Sequence, residues 1–118
     1  MSLKSFKNAA TGILTAIKGG KNLRFICVFF VLTIILGFIV RLSSTEWAIV
    51  LICCAVVIST EMINSGIECS IDLCTKEYSE LAKKAKDMAA GATLVVSIFS
   101  AVIGLIIFVP RIIDLFKG

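Results

Sequence analysis

Three apolar runs dominate this chain, and each is long enough to cross a lipid bilayer. They cover about residues 23–42, 46–74 and 88–109. Twenty helical residues rise roughly 30 Å, the thickness of a hydrocarbon core. Proline occurs only once, and the Leu/Ile/Val/Phe runs lack the strict alternation of a membrane barrel, so helices are expected. The hydrophobic fraction of 58% exceeds the roughly 45–50% of soluble domains. The expectation is an all-α integral membrane protein, a single domain over residues 1–118.

The flanks of the runs give the organisation. Residues 3–18 carry Leu3, Phe6, Ala10, Ile13, Leu14 and Ile17 at helical spacing, with Lys4, Lys7 and Lys18 interleaved. That pattern predicts an amphipathic helix on the membrane surface. Gly19-Gly20 breaks it, and Lys21 and Arg24 mark the headgroup layer. Arg41, Ser43, Ser44 and Thr45 form a short polar turn, and Trp47 anchors the next helix at the interface. A loop is expected at 75–79, a charged helical stretch at 80–87, and a helix end at Pro110. The first run has spanning length and no small-residue cleavage site, so it reads as a retained span rather than a signal peptide. Lys and Arg number nine in residues 1–24 and 72–87 together, against three in the 41–46 turn and the tail after Pro110. The positive-inside rule then puts the amino terminus and the 72–87 connection in the cytoplasm of a multi-pass protein.

Within this greasy chain, Glu61, Asn64, Glu68 and Asp72 follow one another at intervals of three, four and four residues. On a helix their side chains share an arc of about 80°. A carboxylate at membrane depth costs roughly 2.5–3.5 kcal/mol on insertion scales, so Glu61 reads as functional ahead of a packing role. Three carboxylates and an amide on one stripe suit a metal ion or a moving proton. Lys86-Asp87 opens the third span at the same level, where lysine can offset phosphate charge and aspartate can hold a metal or a donor. Lys83 and Lys84 read as topological anchors, and Glu77 and Glu80 as solvated loop charges.

Other chemistries are poorly supplied. The chain has no histidine, the commonest general base and transition-metal ligand, so any metal should be a hard one such as Mg²⁺. The five cysteines form no C-x-x-C pair and read as small buried apolar residues. Gly19-Gly20-Lys21 is no P-loop: Asn22 replaces the Ser/Thr, and Thr15 stands where the first glycine belongs. An acidic, metal-capable site at the lipid boundary with a lysine nearby suits phosphoryl transfer to a lipid alcohol. A proton-coupled transporter and a non-catalytic structural subunit are the competing classes.

The segment Glu61-Met62-Ile63-Asn64-Ser65-Gly66-Ile67-Glu68, then Asp72, then residues 81–92 with Lys86-Asp87-Met88-Ala89-Ala90-Gly91-Ala92, carries a likeness. It resembles the bacterial membrane diacylglycerol kinase/undecaprenol kinase family, with the wording of 81–92 closer to the undecaprenol branch. The resemblance implies a homotrimeric bundle of three-span subunits, each with a surface helix, in the bacterial cell membrane. Active sites would lie between subunits at the cytoplasmic interface. The resemblance makes Glu61 the catalytic base on the lipid hydroxyl and Glu68 the ligand of Mg²⁺ that accompanies ATP, supported by Asn64. Lys86 and Asp87 would bind nucleotide phosphates. Asp72 and Glu77 would lie near the nucleotide. The implied partners are ATP, membrane lipids, and undecaprenol or diacylglycerol, with no nucleic acid. One departure stands out: Gly20 occupies the position of a second metal-binding glutamate in the family. A weakly active or non-catalytic relative is the alternative that this departure raises.

Overall fold

The computed structural model describes residues 2–118, the side chain of Lys21 excepted; the expectation that Lys21 marks the headgroup layer falls outside the described residues. Four helices follow one another: α1 (Leu3–Gly19), α2 (Lys21–Ile39), α3 (Ser44–Cys74) and α4 (Glu80–Lys117). Asn22–Ile39, α3 and α4 are each long and apolar enough to cross a membrane. The protein is therefore a multi-pass membrane protein. Large apolar side chains such as Phe38, Phe99 and Leu105 stand on its outer faces, the arrangement that lipid or another apolar surface requires.

α1 begins at Ser2, whose hydroxyl accepts from the Ser5 amide at 3.1 Å. It ends at Gly20, a single extended residue (φ −114°, ψ 114°) that closes α1 and opens α2. The expected Gly19-Gly20 break is thus one residue wide, and α1 packs back on both α2 and α3.

The α2–α3 turn is built from caps. Arg41 takes a positive φ of 60°, and the Leu42 amide donates to the Gly37 carbonyl at 3.1 Å. That pair of features is a Schellman closure. Ser43 and Glu46 then form a reciprocal capping box at the head of α3. α3 starts at Ser44, two residues before the expected Glu46, because the Ser43 cap sets the boundary. Across the turn the Trp47 indole covers Gly37, where an added Cβ would lie 2.6 Å from the ring. It also meets Phe38 with ring centroids 4.9 Å apart. Val40, Leu42, Val50 and Ile107 form the buried core at this end, with Leu36 and Ile112 against it.

α4 corrects one expectation. Pro110 lies inside the helix, which runs unbroken from Glu80 to Lys117. A helix-interior proline forfeits one hydrogen bond and costs about 3 kcal/mol. Two contacts hold the turns around it: Ile107 and Ile112 join the core, and Arg111 grips Glu46 through Nη2–Oε1 at 2.5 Å and Nε–Oε2 at 3.2 Å. The charged 80–87 stretch is likewise continuous with the span that follows. At 1.5 Å per residue α4 is about 57 Å long, so its ends project beyond a 30 Å hydrocarbon core.

Candidate active site

The polar stripe of α3 divides into two parts. Glu61, Asn64 and Glu68 line an open cavity of about 790 Å³ between α3, α1 and the start of α2. Asp72 lies farther along. Eleven residues separate it from Glu61, a rise of about 16 Å, so one ion cannot touch both. Among the described residues, no three acidic or cysteine side chains converge on a metal-sized point.

Glu61 and Asn64 are buried in the cavity wall, 9% and 8% exposed. Among the described residues neither Glu61 nor Glu68 forms an ion pair. The carbonyl Oδ1 of Asn64 is buried and has no hydrogen-bond partner among the described residues. An unpaired buried acceptor costs about 1–3 kcal/mol, so this oxygen awaits a donor or a cation. Glu68, one turn on from Asn64, is exposed at the cavity rim.

The opposite wall comes from α1. Asn8, Thr11, Gly12, Thr15, Ala16 and Gly19 all face the cavity. The Thr11 and Thr15 hydroxyls donate to Lys7 O and Thr11 O within their own helix. The apolar periodicity of α1 does not predict this second, polar face. Its signal is the recurrence of small and polar residues at steps of three and four. Gly20 lines the same cavity. An added Cβ there would lie 2.9 Å from the Ala16 carbonyl oxygen, the atom that accepts from the Gly20 amide at 3.0 Å. The end of α1 therefore occupies the space a side chain would need.

Lys86 and Asp87 are engaged elsewhere. Lys86 Nζ pairs with Asp72 Oδ1 at 2.9 Å, bridging α3 and α4. Asp87 Oδ2 pairs with Lys83 at 2.7 Å, one turn earlier in the helix. Lys83, Asp87 and Asp72 are exposed and Lys86 is half-buried; pairs so open to water contribute about 0–1 kcal/mol and yield readily to a polyanion. Glu77 is exposed in the connection at 75–79, its amide donating to Thr75 Oγ1 at 3.1 Å. It is not brought to the cavity wall.

The donor set fits Mg²⁺ in a limited sense. That ion takes one or two protein carboxylates and leaves its other positions to water and substrate phosphates. Glu68, with the open Asn64 Oδ1 beside it, supplies such a partial set.

These features define a multi-pass membrane protein with a polar chamber opened between an amphipathic helix and a spanning one. The chain belongs to the prokaryotic diacylglycerol kinase family, which it matches over residues 7–108. It is 39% identical over 109 residues to an undecaprenol kinase of Bacillus subtilis, an alignment covering 92% of this chain and 89% of that protein. It is 38% identical to a diacylglycerol kinase of Helicobacter pylori over 80 residues, 68% of this chain and 62% of the relative. A Synechocystis diacylglycerol kinase is 31% identical over 114 residues, 96% of this chain and 65% of that one. Membership supports phosphotransferase chemistry on a membrane alcohol in general.

Proposed function

We propose that this protein transfers the γ-phosphoryl group of ATP to a membrane lipid alcohol, with undecaprenol the preferred acceptor. The observation that carries the reading is Glu61, an acid buried at the wall of a polar chamber on a helix apolar enough to span a membrane. The Bacillus subtilis relative, aligned over nearly the full length of both chains, favours undecaprenol. Diacylglycerol is the second reading, favoured by the other relatives' names.

In this reading Glu61 takes the proton of the lipid hydroxyl as its oxygen bonds to the γ-phosphorus and ADP departs. A positioned base of this kind contributes typically 10²–10⁴-fold. Asn64 Oδ1 orients the hydroxyl or a water beside it. Glu68 holds the nucleotide's Mg²⁺, which supplies charge neutralisation when bound. Lys86 leaves Asp72 for the incoming phosphates, and Asp87 and Asp72 border the nucleotide, with Glu77 nearby. Lipid boundary and cytoplasm must meet at one place, so the amino terminus and the 72–87 connection face the cytoplasm. Assembly as a homotrimer would cover the exposed apolar faces and close the site between neighbours.

Purified wild type and Glu61→Gln, assayed with MgATP and with undecaprenol and diacylglycerol side by side, test the reading. The wild type is expected to phosphorylate undecaprenol faster, and Glu61→Gln to lose about 10²-fold or more in kcat. Undiminished turnover by Glu61→Gln would remove it as the base. Absence of wild-type turnover on both lipids would support a non-catalytic relative in which Gly20 has replaced a metal ligand.

A further inference from the structure

We propose that Cys69 is a modification site: inside the chamber its thiol forms a mixed disulfide with small cationic aminothiols, and the adduct shuts the site off. The shut-off rests on the lipid-kinase reading; the modification itself does not.

Helix geometry places the thiol. Met62, Ser65 and Cys69 follow one another at steps of three and four residues, so they form one column on α3. All three line the chamber together with Glu61, Asn64 and Glu68. Cys69 is free and exposed, and access is the first requirement for a thiol to react. Both walls leave room for an adduct. An added Cβ at Gly12 or Gly19 of α1, or at Gly66 of α3, would meet nothing within 4 Å.

Charge and hydrogen bonding select the adduct. Among the described residues, Glu61 and Glu68 have no ion-pair partner, and the described lining of the chamber contains no lysine or arginine. Asn64, 8% exposed, adds a buried carbonyl oxygen with no partner among the described residues. These acceptors suit an ammonium group, which carries three donors and no acceptor. The same carboxylates repel an anionic disulfide. Glu68 adjoins Cys69, and Asn64 lies about 8 Å back along the helix axis, so a short aminoalkyl arm on Cys69 reaches toward both. In the exchange the Cys69 sulfur bonds to one sulfur of the disulfide and the S–S bond breaks. The second aminothiol leaves with the Cys69 proton. The tethered ammonium then competes with a divalent cation for Glu68.

The other cysteines are internal controls. Cys74 is exposed but does not line the chamber. Cys53 and Cys54 line an apolar groove between α2, α3 and α4 that begins at Val57, one turn from Glu61, and a charged reagent does not partition there.

The full-length protein in lipid nanodiscs is treated with cystamine, which is cationic, or with dithiodipropionate, which is anionic. Wild type, Cys69→Ser, Cys69→Ala and Glu68→Gln are compared. Adducts are located by peptide mass, and turnover of a long-chain prenol with MgATP is measured before and after a thiol reductant. Cystamine is expected to modify Cys69 about tenfold faster than the anion does. That preference should shrink in about 1 M salt and in Glu68→Gln, and be absent at Cys74. Modified wild type should lose tenfold or more in turnover and regain it on reduction, while at least one Cys69 variant stays active in cystamine. Equal rates for the two reagents at Cys69, or adducts chiefly at Cys74, overturn the modification site. Full turnover by protein carrying the Cys69 adduct overturns the shut-off. Should unmodified wild type phosphorylate no lipid, the kinase reading fails, and the rate ratio at Cys69 alone upholds or overturns the modification site.

Discussion

Asn64 and Gly20 show how single residues set the chamber's chemistry. The Asn64 carbonyl is buried without a partner among the described residues, and a donor or cation placed there would offset a cost of about 1–3 kcal/mol. At Gly20 the position is closed by the Ala16 carbonyl. We expect Gly20→Glu to lower the Mg²⁺ concentration needed for half-maximal activity, because it adds a carboxylate beside Glu68. We also expect it to lower thermal stability by about 1–3 kcal/mol, since the end of α1 must shift to admit the new Cβ. Metal titration of activity and thermal melting of the same preparation check the two effects separately; an unchanged metal requirement would show that the position is no ligand site. That Glu61, Asn64 and Glu68 share one wall is legible in the sequence, because steps of three and four residues put them on one helix face. The engagement of Lys86 by Asp72 was not, since spacing along a chain says nothing about pairing across two helices.

At the scale of elements, the α2–α3 hairpin is held by packing as well as by its caps. Trp47 lies on Gly37, and the turn between them is fixed by the Schellman closure and the capping box. Gly37→Ala sets two effects against each other. Helix propensity favours alanine by about 1 kcal/mol, while forcing a methyl into the indole face costs about 1–3 kcal/mol. The net expectation is a loss of about 1 kcal/mol, read as a lowered melting temperature in detergent; a raised melting temperature would show that the Trp47 ring moves freely. The turn's polar composition was readable, and so was the helix break at Gly19-Gly20. The passage of α4 through Pro110 was not, because the core contacts of Ile107 and Ile112 and the Arg111–Glu46 pair that hold it come from residues distant in sequence.

For the whole molecule, orientation and chemistry are one question. A nucleotide reaches Lys86 only if the α3–α4 connection faces the cytoplasm. Cys69 and Cys74 are exposed near that connection, while Cys27, Cys53 and Cys54 are half-buried. An impermeant maleimide is therefore expected to label Cys74 in inside-out vesicles and to spare it in right-side-out ones; the opposite pattern would place the connection outside and end the kinase account. Hydropathy, charge balance and helical period together determined the all-α class, three spanning helices, an amphipathic first helix and the acid stripe, because each is a property of one segment facing its solvent. Only the tertiary structure decided that α1 folds back to wall a chamber, that Asp72 at the far end of the stripe pairs with Lys86, and that an apolar groove begins one turn from Glu61. Those depend on which helix faces which, and that choice is made by side-chain packing between segments that share no local signal.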